Sequence, residues 1–292
     1  MSRRFLRLRA PLPEAAPTRA DPAKTASSLQ AGAIEALSEA DLDLKVAGVN
    51  ALSRDWFQRR LSLRQGQVIL PARPGRPQKP ELLPPSQVPR RRIGTLKGRV
   101  ALIHALCHIE LNAIDLALDI VARFASHPLP RSFFDGWMRV AFEEARHFTL
   151  LRNRLRELDA DYGDLPAHDG LWEAATVTVS DLKARLALVP LVLEARGLDV
   201  TPSLIEAVRR IGDERTADIL TIIYEDEKGH VAVGAKWFRF LCRRHGEDPA
   251  ASFQKLVREN FRGQLKPPFN DRARARSGLT PSFYRSLPVV GN

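Results

Sequence analysis

Apolar positions recur at helical spacing through most of this chain, and the elements follow from where that spacing starts and stops. In "GRVALIHALCHIELNAIDLALDIVARF" (98–124) apolar residues return every three or four positions and cover most of the circumference, which predicts one long, largely buried helix. "RSFFDGWMRVAFEEARHFTLLRNRLREL" (131–158) predicts a second, more amphipathic one. "DLKARLALVPLVLEAR" (181–196) predicts a third, bent at Pro190. Gly197 and Pro202 read as its end, with a short separate helix over 202–212. "ERTADILTIIYEDEKGHVAVGAKWFRFLCRRH" (214–245) predicts the fourth long helix. Strand-like alternation is confined to "TVTVS" at 176–180. Four long helices and a short accessory one predict an all-α four-helix bundle.

The flanks read differently. Residues 29–65 carry spacing for one or two amphipathic helices, and 250–263 for one more, followed by irregular "KPPFNDRARARSGLTPSFY". The prolines of "VILPARPGRPQKPELLPPSQVPRRR" (68–92) fix φ and remove donors, which excludes helix and central strand. This stretch reads as an extended arm lying on the bundle through "VIL" and "ELL". Residues 1–28, rich in Pro, Arg and Ala without apolar period, read as an extended or mobile basic N-terminus. The expected organisation is therefore 1–28 basic N-terminus, 29–95 N-terminal helices and arm, 96–248 bundle, and 249–292 C-terminal helix and basic tail.

Composition adds limits. With 292 residues, 44% hydrophobic and 27% charged, the chain can bury a sizeable core as one large domain or two small ones. No uninterrupted apolar run reaches roughly 18 residues, so no membrane span is expected. "MSRRFLRLRAP" lacks a following apolar stretch, so no cleaved signal is expected. Two distant cysteines, Cys107 and Cys242, fit free thiols and a cytoplasmic location. The net charge of +11 is uneven: residues 101–250 sum to −6 and the flanks to +17. Basic ends could steer a phosphate-bearing partner such as RNA; solubility is the simpler reading.

The chemistry lies on the helices. Glu110 shares a face with Leu106, Ala113, Ile114 and Ala117, and Glu194 follows the apolar run "LALVPLVL". A lone buried carboxylate costs several kcal/mol, so each needs a partner. The second and fourth helices carry Glu144/His147 and Glu227/His230, pairs three apart that share one face. Glu110 to Glu144 is 34 residues and Glu194 to Glu227 is 33, so one pattern occurs twice at nearly constant offset. One Glu from each of two helices plus Glu-x-x-His from each of the other two is the ligand set of di-iron and di-manganese bundles. Oxygen and imidazole donors suit Fe or Mn. The expected metal ligands are Glu110, Glu144, His147, Glu194, Glu227 and His230. The competing reading is a bundle with satisfied buried acids and surface histidines.

Other polar residues carry weaker expectations. Glu143 and Asp226, each just before a paired glutamate, either hold a ligand His across the bundle or are solvated charge. Tyr224 is a core residue or a ligand's hydrogen-bond partner. His104 and His108 read as packing or capping residues, Cys107 as a small hydrophobe that could line a pocket, and Trp137, Trp172 and Trp237 as core.

"HALCHIELNAIDLALDIVARF", "EEARHF", "LEARGLD" and "EDEKGHV", with the arm and "KPPFN", resemble a ferritin-like family of bacterial proteins known as a conserved domain of unknown function, over roughly residues 35–285. The resemblance implies a ferritin-like bundle and metal binding, and brings no assigned reaction. More distantly the chain is similar to the bacterial tRNA-modifying hydroxylase of the ferritin-like superfamily, a likeness at the level of fold.

Three functions follow as expectations. The first is an O₂-dependent oxidase or hydroxylase with two Fe ions, or Mn/Fe or Mn/Mn. In it Glu144 and Glu227 bridge the metals at the catalytic centre, and an electron donor and a small-molecule or nucleotide-type substrate are required. The arm and tail would build the substrate cavity by covering one end of the bundle. The second is an iron-storage or ferroxidase protein; the arm and tail would obstruct cage assembly, so a monomer or dimer is expected instead. The third is an interaction protein with a structural metal site.

Overall fold

The computed structural model describes residues 26–84, 87–88 and 92–287. Most of the basic N-terminus expected over 1–28, and part of the arginine-rich end of the arm, lie outside the described residues.

The described chain is all-helical, and the only strand-type contacts in it are two isolated bridges, Ser28 with Ser62 and Leu82 with Ala167. Two N-terminal helices, α1 (Leu29–Ser38) and α2 (Leu42–Phe57), precede two long ones, α3 (Leu96–Arg123) and α4 (Arg131–Arg156). A short α5 (Gly170–Val177) leads into α6 (Leu182–Leu188), a π turn (Val189–Glu194) and α7 (Ala195–Arg210). The longest helix, α8 (Glu214–Arg244), is followed by α9 (Pro249–Asn260), α10 (Asp271–Arg276) and α11 (Pro281–Tyr284). Helix starts are set by side chains that accept from backbone N–H groups with no helical partner: Thr95 for α3, Asp181 for α6, Asp213 for α8 and Asp248 for α9.

α3 packs along α4, α7 and the π turn pack on α8, and α4 meets α8, so the long helices close around one interior. α1 and α2 cover α3 and α4, while α9 to α11 cover α6, α7 and α8. One continuous apolar core runs from Leu29 to Leu287. α3 is long and apolar enough to cross a membrane by length and composition, contrary to the count of uninterrupted apolar runs. Two thirds of its apolar stretch is buried inside the protein, which accounts for that apolarity as core packing.

Three sequence expectations are corrected. Gly197 and Pro202 do not end the third helix, since helical backbone continues from Leu182 to Arg210. Pro190 lacks the N–H that an α turn would use, and the chain widens there into a π turn. Pro202 leaves the Leu198 carbonyl without its helical donor, and Asn270 Nδ2 supplies one from the tail at 3.1 Å. "TVTVS" forms no strand; it spans the end of α5 and the turn into α6, where Thr176 and Thr178 hydroxyls donate to carbonyls a turn back. The tail is less irregular than expected, because α10 docks through Ala273 and α11 through Phe283 and Tyr284 onto the core.

The arm is extended and lies on the helices. Leu70 of "VIL" packs against the core, and in "ELL" Leu83 N–H donates to Ala167 O while Glu81 O accepts from Ala167 N–H; Ile69 and Leu82 are exposed. Pro74 and Pro80 are buried as well, and Gly75 N–H donates to Leu37 O at 2.8 Å. A Cβ at Gly75 would overlap the Ser38 backbone, so only glycine permits this approach. Arg76 reaches Asn112 (2.8 Å) and Asp115 (2.7 Å) on α3. Asp115 also pairs with the fully buried Lys45 of α2 at 2.6 Å, so one α3 carboxylate ties both covering layers.

Candidate metal centre

The long helices bring the six predicted ligands to one place. Glu110 lies on α3, Glu144 and His147 on α4, Glu194 at the end of the π turn, and Glu227 and His230 on α8. Glu110, Glu144, His147 and Glu227 each offer a donor atom within 4.8 Å of the others. His147 Nδ1 stands 3.3 Å from Glu110 and 3.4 Å from Glu144. His230 Nδ1 stands 2.8 Å from the other Glu144 oxygen and 3.7 Å from Glu227. Glu144 is therefore central, with one oxygen toward each imidazole. Glu194 lies outside this group of four but lines one cavity with Glu110 and Glu227, and Glu227 is the charge that acts on it most strongly.

The outer nitrogen of each imidazole is held from across the interior. His147 Nε2 meets Asp226 Oδ2 of α8 at 3.0 Å, and His230 Nε2 meets Glu143 Oε2 of α4 at 2.9 Å. Each of these carboxylates directly precedes a paired glutamate on its own helix. The arrangement is reciprocal, α4 orienting the α8 histidine and α8 the α4 histidine. A carboxylate on one nitrogen fixes the ring and turns the other nitrogen inward.

Without a cation this is a costly arrangement. Both Glu144 oxygens, Glu194 Oε2, Glu227 Oε2 and His230 Nδ1 are buried with no hydrogen bond of acceptable geometry among the described residues. Burial raises the carboxyl pKa of Glu110 and Glu194 well above the ordinary value; the Glu144 and Glu227 charges respectively add to this. Glu227 is raised in the same way by burial and then by Glu144. Burial also acts on Glu144, but the two imidazoliums beside it overcome this and hold it below the usual range. For both histidines burial favours the neutral ring, and the surrounding carboxylates outweigh it, raising His147 and His230 well above 6.5. Buried carboxylates crowded this closely repel one another and call for a cationic partner. Carboxylates and imidazoles in this placement could hold metal ions.

The other candidates separate cleanly. His104 Nε2 accepts from Gly163 N–H at 3.0 Å, and His108 contacts Tyr162 OH at 2.7 Å, so both anchor the loop after α4. Cys107 is buried with Sγ toward Phe148 O and does not line the cavity. Tyr224 OH accepts from Asn270 Nδ2 at 3.1 Å, serving the tail rather than a ligand. Trp137, Trp172 and Trp237 are core residues.

Sequence reasoning expected a cavity but not its place or its walls. Beside Glu110, Glu194 and Glu227 lies a space of about 180 Å³ lined by α3, the π turn, α7 and α8, with Leu171 from α5. No arm or tail residue lines it, so its expected construction by the arm and tail is corrected. The signal was present in the small and apolar residues Ala113, Leu193, Gly197 and Val200, but it becomes a cavity only once the helices are paired.

No solved structure matches the chain. A Haemophilus influenzae relative, described as "Uncharacterized protein", is 42% identical over 209 residues, covering 70% of this chain and 73% of that protein. The family model described as "Protein of unknown function (DUF455)" matches residues 38–285. The chain is a member of the DUF455 family.

Proposed function

We propose that this chain is a di-metal carboxylate protein with a ferritin-like four-helix bundle formed by α3, α4, α6–α7 and α8, acting as an O₂-dependent oxidase or hydroxylase. The observation that carries the reading is the convergence of Glu110, Glu144, His147 and Glu227, with His230 against Glu144 and Glu194 on the apolar cavity that Glu110 and Glu227 also line. Glu110 and His147 would hold one ion, Glu194 and His230 the other, and Glu144 and Glu227 would lie between them. Two Fe(II), or Mn in one or both places, would supply electrons to O₂ at positions the protein leaves open. Asp226 and Glu143 keep the imidazoles in register. Apolar walls exclude water and hold a small organic molecule against the carboxylates. An external reductant is needed to restore the reduced metals. The cavity favours this reading over iron storage, which has no use for an apolar binding space.

Metal content per chain on anaerobically purified full-length protein, with O₂ consumption on the same sample, tests the proposal. The expected result is two Fe or Mn per chain, lost in Glu144→Ala and His230→Ala while helicity persists, in a monomer or dimer. Less than about 0.2 metal per chain after Fe(II) reconstitution would overturn it. Two metals in a large cage would move the reading to storage.

A further inference from the structure

The cavity has a definite chemical character. Its walls include Leu106, Leu116, Leu193, Leu204, Leu220 and Ile223, and three carboxylates stand at the metal-site end. Ile109 and Val200 line it and are 44% and 37% exposed, which marks an apolar mouth. The lining contains one cation, Arg196, whose side chain is 41% exposed.

Arg196 is fixed by one end. Its Nη1 donates to the Lys266 carbonyl at 2.7 Å and the Pro268 carbonyl at 3.3 Å, and lies 3.5 Å from Asp199. Asp199 is already engaged by Arg274 through two hydrogen bonds, 2.8 and 2.6 Å, and so leaves Arg196 largely uncompensated. Among the described residues the Nε and Nη2 groups of Arg196 make no hydrogen bond. The tail thus holds a guanidinium at the cavity with donors still available, and such a group is matched by a carboxylate.

We propose that the cavity binds a small monocarboxylic acid, with its carboxylate on Arg196 and its apolar body inside. An apolar cavity of about 150 Å³ takes one benzene, so this space holds an apolar body of roughly six to eight carbons. A nucleotide is excluded, because a base's polar edges would find few partners on these walls. The buried carboxylates at the inner end repel the acid's head and orient it outward. As a substrate assignment this rests on the di-metal reading; as a binding site it does not.

Calorimetric titration of the full-length protein, metal-free and Fe(II)-loaded, with octanoate and with 1-octanol tests it. Octanoate is expected to saturate at one per chain, about tenfold or more tighter than octanol. Arg196→Leu is expected to weaken octanoate about tenfold or more and leave octanol unchanged. No atom lies within 4 Å of a Cβ built at Gly197, so Gly197→Leu enters open space; it is expected to abolish binding of both while metal content and Tm hold. Equal affinity for octanoate in Arg196→Leu, equal affinity of wild type for acid and alcohol, or octanoate binding that survives Gly197→Leu would overturn the proposal. Metal content measured on the same samples separates the two readings. Arg196-dependent binding without metal sinks the di-metal reading alone, and two metals without such binding sinks this one alone.

Discussion

The two halves of the candidate centre repeat each other in Glu and His residues but not in backbone. In the α3–α4 half, Glu110 and Glu144 project from regular α turns, are buried and touch His147. In the other half, Glu194 ends a π turn that starts at Val189 and includes Pro190, and it faces the cavity. Repeated chemistry therefore does not require repeated geometry. The first half is regular helix, while the second is widened where a proline removes a helical donor, and the cavity lies between them, lined by α3 on one side and by the π turn, α7 and α8 on the other. π turns set inside helices are frequent at functional sites.

Breaking the shared element gives the largest effect. Glu144 serves both imidazoles, so Glu144→Ala is expected to remove both metals and to leave two buried histidines without their central counter-charge. The cost to stability is about 3–5 kcal/mol, measured by urea denaturation beside metal analysis. Perturbing only the widened half comes next. A Cβ at Gly234 would overlap the Pro190 ring, so Gly234→Val pushes the π turn off α8. It is expected to cost about 1–3 kcal/mol and to weaken the Glu194 ion before the Glu110 ion, read as stoichiometry falling from two to one. If both ions leave together, the halves are not separable.

Smaller effects test the reciprocal carboxylates. Asp226→Asn and Glu143→Gln, each releasing the outer nitrogen of the opposite half's histidine, are expected to lower metal affinity about 10–100-fold with the fold unchanged. Titration against a competing chelator reads this, and unaltered affinity would reduce both residues to surface charge. The smallest effect lies outside the centre. His104 is held neutral by burial, its pKa below 6.5 against the opposing pull of Asp164 and Asp161, and its Nε2 accepts from Gly163. Its folded pKa is depressed, so the unfolded chain binds the proton more readily. Stability from this residue is present above about pH 6.5 and is lost as pH falls below it. Thermal melts from pH 7.5 to 5 should fall less steeply in His104→Gln than in wild type.

Much of this was legible before any coordinates. Long helices announce themselves by apolar period, and the doubled Glu, Glu-x-x-His pattern named Glu110, Glu144, His147 and Glu227, which tertiary packing brings together, with His230 beside Glu144. Glu143 and Asp226 were legible as candidates for holding a histidine, because one residue's shift along a helix turns a side chain toward the neighbouring element. What was not legible depended on partners distant in sequence. Pro202 reads as a helix end until Asn270, 68 positions later, supplies the Leu198 carbonyl with a donor. The cavity and its single cation depend on four helical segments and two tail carbonyls meeting at one point. The arm's anchors were legible only in part: Leu70 packs on the core as its apolar run suggested, but Pro74, Pro80 and Arg76 also dock it, the last through an ion pair that depends on Asp115 of α3.

Anomalous diffraction at the Fe edge from crystals of the Fe(II)-loaded full-length protein tests the central claim most directly. The account predicts two peaks inside the cluster, about 3.5–4 Å apart, one beside Glu110 and His147 and the other beside Glu194 and His230. No peak among these six residues, or a single peak that excludes Glu194 and His230, would contradict it.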